Sequence, residues 1–190
     1  MNKHWLILVV LVIANIFGCS SAKTTPDPQK LIGKEIVLPK NGLWKILNRD
    51  TTFVPNGSIP TILAYYNTKG CSSCRLKELS YWKTIADEIL TKHKDSDTSK
   101  VNIVLIFSTG KEIRDVILNL RLNKFPIPVL CDTEKEFEHA NLLPAQEQFH
   151  YFLLDRDMRI VRMGAPFYNE KIWMQYKQEI VRLNNSSLSD

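Results

Sequence analysis

The stretch IPTILAYYNTKGCSSCRLKEL (59–79) decides how the chain is read. Its first nine residues are apolar at nearly every position, the pattern of a strand covered on both faces. Apolar residues then recur at helical spacing through 72–93. Leu76, Leu79, Trp82, Ile85, Ile89 and Leu90 form one stripe, with Lys77, Lys83, Asp87 and Lys92 largely off it. GCSSC falls where the strand hands over to this helix. Two cysteines separated by two residues at a helix start can close a small disulfide ring. Exposed N–H groups and the helix dipole there favour a thiolate on the first cysteine. Cys71 is therefore the expected nucleophile and Cys74, one turn inside, the expected resolving thiol.

Working outward, four more runs rich in β-branched and aromatic residues predict strands: 101–109, 127–132, 149–155 and 159–164. Helical patterns lie at 111–124, 134–143 and 169–185. The expected order is strand, helix, strand, helix, strand, helix, two strands, helix. Such alternation favours parallel pairing through right-handed crossovers, and the short link Arg156–Met158 favours a closing antiparallel hairpin. LIGKEIVLPKNGLWKIL (31–47) is expected to add a small N-terminal hairpin, and Asn184–Asp190 to fray.

The chain has 190 residues, 44% of them hydrophobic, enough for one domain with a sizeable core. Its formal charge of +5 is spread among acidic residues, so a solvated surface is expected and nucleic-acid binding is not. The same letters GCSS occur a second time, at 18–21. There they follow Lys3 and an apolar run from Trp5 to Phe17, shorter than the about 20 residues that span a bilayer. This reads as a secretory signal over 1–18. Gly18 and Cys19 resemble the bacterial lipobox, which implies lipid on Cys19. Residues 19–30 are small, polar and proline-containing, a flexible tether. Residues 31–183 form the domain and 184–190 the tail. The resemblance implies a periplasm-facing lipoprotein held to a membrane, and Ser20 favours the outer over the inner one. An export address permits oxidised cysteine pairs.

A CxxC at a βα handover reads as a thioredoxin-like redox motif. From about Leu31 to Leu183 the chain resembles the thioredoxin fold, and in particular the exported, membrane-tethered thiol–disulfide oxidoreductases related to TlpA and ResA and the broader AhpC/TSA-like group. LIGKEIVLP resembles that group's opening, KGCSSCRLKEL its active-site turn, FPIPVLCDTEKEFEHANLLP its inserted strand and helix, and FHYFLLDRDMRIVRMG its closing hairpin. The resemblance implies an α/β fold, a central mixed sheet flanked by helices. It also implies disulfide exchange with exported proteins and an upstream redox partner, with no cofactor and no metal.

Three positions depart from the group. Phe149 stands where its members carry a cis-proline facing the dithiol, and Pro144 lies five residues earlier. Thr68–Gly70 replaces the usual tryptophan region. The acid commonly found three residues after the second cysteine is Lys77, with Glu78 one later. Glu78, Phe149 and His150 are thus possible auxiliary residues. Other readings of the dithiol are weighed on the same residues. Zinc prefers four ligands, and there is neither a second CxxC nor an HxxxH. A peroxiredoxin-like peroxidase is suggested by Thr68 and Cys71, but Ala64 stands where that motif has proline. A redox-inactive or copper-binding module could use the two cysteines with His150; a buried histidine bonded to a neighbour is the plainer reading. Cys131, the remaining thiol, is expected to be a small buried hydrophobe. Trp82 and Trp173 are expected in the core. Arg156, Arg159 and Arg162 read as a solvated edge, and Asp155 and Asp157 as turn residues.

Overall fold

A computed structural model describes residues 25–47, 49–67, 72–89, 100–108 and 113–186, the side chains of 72–76 excepted. Cys19 and Cys71 lie outside the described residues, as do 1–18, Thr68–Gly70, Leu90, Lys92 and 187–190.

The elements in chain order are β1 (Leu43–Ile46), β2 (Arg49–Asp50), β3 (Thr61–Tyr66), α1 (Ser72–Asp87), β4 (Asn102–Phe107), α2 (Ile113–Leu122), β5 (Val129–Cys131), α3 (Glu136–Ala140), β6 (Tyr151–Leu154), β7 (Ile160–Met163) and α4 (Glu170–Asn185). They build one sheet in the order β2-β1-β5-β4-β3-β6-β7. β3, β4 and β5 run parallel, while β6, β7, β1 and β2 are antiparallel to their neighbours. The parallel centre with an antiparallel closing hairpin is what the sequence pattern predicts.

β3 is buried along its whole length because successive residues point to opposite, equally covered faces. Ile62, Ala64 and Tyr66 share one core with Leu79, Trp82 and Ile85 of α1 and with Trp173, Tyr176 and Ile180 of α4. Leu63 and Tyr65 share the other with Leu31, Ile36, Phe137, Phe152 and Ile160. Trp82 and Trp173 are core residues, as expected.

The N-terminal region differs from expectation. Only Leu43–Ile46 of 31–47 is strand, and its hairpin partner, Arg49–Asp50, lies beyond that stretch. Residues 31–38 line the opposite side of the sheet instead. Gly33 N–H donates to the Ile160 carbonyl (2.7 Å), Ile36 N–H to Met158 (2.8 Å), and Glu35 bridges Arg159. Leu31 and Ile36 are apolar and bury against β6 and β7, so the segment cannot also pair with β1. Asn141 clamps it further, accepting from Val37 N–H and donating to the Val37 carbonyl.

Two more expectations are corrected at the C-terminus. α4 continues to Asn185, into the segment expected to fray, because Asn184 is buried and its amide donates to the Lys100 carbonyl (2.9 Å). Arg156 is not merely solvated. Its guanidinium donates to the Ser58 carbonyl and to the Leu183 carbonyl (2.6 Å), a last-turn carbonyl that also accepts from the Ser186 hydroxyl. Arg159 and Arg162 also hold partners, the Gly33 carbonyl and Gln175. Asp155 does serve the turn, its carboxylate accepting from Asp157 and Arg159 N–H.

Candidate functional site

The C-terminal end of β3, the start of α1, the start of β6 and the loop after β7 meet at one end of the sheet. α1 begins at Ser72, so Cys74 stands in its first turn and Cys71 immediately precedes it. The exposed N–H groups of that turn are the ones that would favour a thiolate.

Steps of four residues along α1 lead from Cys74 to Glu78 and then Trp82, one face of the helix. Lys77, the residue three after Cys74, is exposed, whereas Glu78 is only 9% exposed. The helix therefore turns the later acid inward and the lysine out. Glu78 reaches three phenols. Oε2 accepts from Tyr66 (2.9 Å) and Tyr151 (2.7 Å), and Oε1 accepts from Tyr168 (2.6 Å). The Trp82 indole donates to the Tyr66 oxygen at 2.6 Å. An indole N–H can only donate, so the Tyr66 proton is directed at Glu78. Burial, helped by the nearby Tyr151 and Glu78, pushes the Tyr66 phenol well above the ordinary tyrosine value, which keeps that proton in place.

Rings enclose this carboxylate. Tyr66 stacks on Phe107 (4.8 Å between centroids), and Phe167 stands edge-on to Trp82 and Tyr151 (5.4 Å each). Tyr81 stacks on the outer side of Phe167 at 5.3 Å and 11°. Gly164, at φ +118°, lets the chain turn from β7 into the loop that carries Phe167 and Tyr168.

Sequence reasoning named Glu78 and missed the tyrosines. Tyr66 and Tyr151 read as strand hydrophobes, and Tyr168 as part of a loop. The one available signal was their topological position, at the ends of β3, β6 and β7 that face α1.

Phe149 and His150 lie in the turn that leads into the neighbouring strand, β6. β3 and β6 pair with Ala64 opposite Tyr151, and Tyr65 N–H donates to the His150 carbonyl (2.9 Å). Phe149 closes a short 3-10 turn, Glu147–Phe149, and is half-buried. No peptide bond among the described residues is cis. His150 is buried, and its ring donates through Nε2 to the Pro144 carbonyl (2.8 Å). That bond ties down one ring nitrogen of the histidine considered for copper.

Cys131 is fully buried in β5 between β1 and β4. Burial pushes its thiol up to about 11, with Lys45 opposing weakly. At pH 8 about one molecule in a thousand would carry the reactive thiolate there. We expect native Cys131 to alkylate far more slowly than Cys71 and to match it after unfolding. Equal native rates, read by mass spectrometry of tryptic peptides, would make Cys131 a third reactive thiol.

No family model matches the sequence, and no curated protein matches it. Solved structures do. A thioredoxin-like protein of Porphyromonas gingivalis is similar over 76% of this chain and 92% of its own, at 21% identity and a TM-score of 0.50. A protein of Bacteroides thetaiotaomicron, described as a candidate protein disulfide isomerase, is similar over 81% and 90%, at 18% identity and a TM-score of 0.53. A thioredoxin-like protein solved in its oxidized form covers 80% and 97%, at 15% identity and a TM-score of 0.50. With a mixed seven-stranded sheet flanked by helices, the chain has the thioredoxin-like fold.

Proposed function

We propose that this chain is a membrane-tethered thiol–disulfide oxidoreductase acting on exported proteins, with Cys71 as nucleophile and Cys74 as resolving thiol. The observation that carries the reading is the buried Glu78 carboxylate one helical turn below Cys74, at the helix start that follows the central strand. In the reducing direction, the Cys71 thiolate attacks a substrate disulfide, forming a mixed disulfide and expelling one substrate thiolate. Cys74 gives its proton to Glu78 and attacks the Cys71 sulfur. The second substrate thiolate leaves, and the Cys71–Cys74 disulfide holds the oxidation the substrate has lost. An upstream dithiol partner returns two electrons. The oxidising direction runs through the same bonds in reverse. The similar Bacteroides thetaiotaomicron protein is a candidate protein disulfide isomerase.

The test is a redox titration of the full chain against dithiothreitol mixtures, quenched in acid and read by mass. A reversible loss of two hydrogens assigned to Cys71 and Cys74 is expected. Thiols that stay reduced at oxidising potentials would leave a binding module instead.

Tethering rests on the sequence: Lys3, the apolar run to Phe17, and Gly18–Cys19. In the fold, residues 31–36 lie beside the β6–β7 turn, at the end of the sheet opposite the start of α1. A lipid on Cys19 would thus be joined to the domain through the end of the sheet opposite the start of α1. Each buried acyl CH₂ contributes about 0.8 kcal/mol, so two or three chains anchor the protein firmly. Cys19→Ala is expected to give an unprocessed or mislocalised product. Normal processing with wild-type fractionation would remove the lipoprotein reading, and separation of inner from outer membranes would test the outer-membrane preference.

A further inference from the structure

The end of the sheet opposite the start of α1, where β3 begins at Thr61 and Arg156 stands in the β6–β7 turn, carries a cleft. Its volume is about 340 Å³. Small-molecule sites run from about 300 to 1,000 Å³, so there is room for a small ligand. Ile36, Leu38, Pro55, Ile59 and Met158 supply apolar walls. Both sides are fixed by hydrogen bonds. Asn56 N–H donates to Asn102 Oδ1 (3.1 Å), and the Asn102 amide donates to the Asn56 carbonyl (2.9 Å) and to Thr61 Oγ1 (3.1 Å). Across from them, Ile36 N–H is bonded to the Met158 carbonyl and Asn141 clamps Val37. The cleft is therefore formed before anything enters it.

Two charged residues line it, Arg156 and Glu35. Arg156 is half-buried and its guanidinium is fixed, with Nε donating to the Ser58 carbonyl (2.8 Å) and Nη2 to the Leu183 carbonyl (2.6 Å). A guanidinium has five N–H groups, so the two on Nη1 are left for a further acceptor. Its partners are neutral carbonyls, and among the described residues no carboxylate forms an ion pair with it. The neighbouring Asp155 carboxylate is engaged in the turn, accepting from Asp157 and Arg159 N–H. A positive charge without a counter-charge thus stands beside apolar surface. Glu35 is exposed, at the mouth of the cleft.

We propose that this cleft binds a small apolar monocarboxylate of the fatty-acid type, its carboxylate on Arg156 and its chain along Ile36, Leu38, Ile59 and Met158. A carboxylate gives Arg156 the charge-assisted hydrogen bond that the carbonyls do not. Glu35 narrows the choice, because a second negative charge on the ligand would meet its carboxylate at the mouth. The site goes beyond the oxidoreductase reading and does not rest on it. It lies at the other end of the sheet and involves no cysteine.

The experiment is a titration of the full chain with octanoate, octanol and octanedioate, followed in ¹H–¹⁵N correlation spectra. Octanoate is expected to shift the signals of Ile36, Val37, Gly57 and Met158 saturably. Octanol lacks the charge and should bind about tenfold more weakly, the effect of losing one charge-assisted hydrogen bond. Octanedioate should also bind more weakly, and Glu35→Gln should narrow that gap. Arg156→Gln is expected to weaken octanoate by about tenfold. Because Arg156 also holds the end of α4, a second variant leaves it untouched. Val37 lines the cleft and is 42% exposed, so Val37→Asp sets a carboxylate against the ligand without opening the core. It is expected to weaken octanoate as much while melting like the parent. Arg159→Gln, outside the cleft, should bind like the parent. The proposal is overturned if octanoate gives no saturable shift at these residues, if octanol binds equally well, or if Val37→Asp binds octanoate as the parent does.

Discussion

Cys74→Ser is expected to accumulate mixed disulfides between Cys71 and exported proteins, whereas Cys71→Ser yields none and loses disulfide exchange completely. The asymmetry follows from position. Cys71 immediately precedes α1 in the sequence, and in the proposed mechanism the free N–H groups and dipole of that helix start favour its thiolate. A serine at 71 has no comparable anion, so the first bond never forms. A serine at 74 leaves that bond intact and removes only the attack that would resolve it. Non-reducing gels and peptide mass spectrometry after acid quenching read both outcomes. Phe149 in place of the group's proline is expected to weaken generic insulin-type reduction without preventing the Cys71–Cys74 bond. If Cys74→Ser formed no mixed disulfide and the wild-type pair never oxidised, the protein would be a binding module on a thioredoxin-like frame.

Glu78→Ala and Glu78→Gln are expected to fail in different ways. Alanine removes the acceptor from two buried phenols, while Tyr168 can turn to water. Stranding a buried polar group costs about 1–3 kcal/mol, so the pair costs roughly 2–6 kcal/mol. Set against a total stability of about 5–15 kcal/mol, this is a large fraction. For a domain of this size it lowers Tm by roughly 4–24 °C, which calorimetry would read. Glutamine keeps one oxygen for Tyr66 and Tyr151 and turns its amide N–H towards the Tyr168 oxygen, so the loss should stay within about 1 kcal/mol. It cannot take the Cys74 proton. If Glu78 serves as that acceptor, Glu78→Gln should slow decay of the mixed disulfide by about a hundredfold, a typical general-base contribution, with Cys71 attack unchanged. Wild-type decay in Glu78→Gln would reduce Glu78 to a structural hub.

Much of this molecule is determined locally. Unbroken apolar runs mark the central strands because both faces of β3, β4 and β6 are covered, and helical spacing marks α1, α2 and α4 because each buries one side. The same logic places Cys74 in the first turn of α1 and Cys131 inside the sheet. Only the tertiary structure decides the rest. The choice between an N-terminal hairpin and an added edge depends on where Leu31 and Ile36 find apolar surface, and they find it beside β7. Arg156 looks like any turn arginine until the end of α4 comes within reach of its guanidinium. Tyr66, Tyr151 and Tyr168 are separated by long stretches of chain, and no periodicity relates them. Periodicity reports which face of an element is buried. Which hydroxyl meets which carboxylate depends on the register between distant elements, and the register of β3 with β6 together with the loop after β7 brings three phenols onto Glu78.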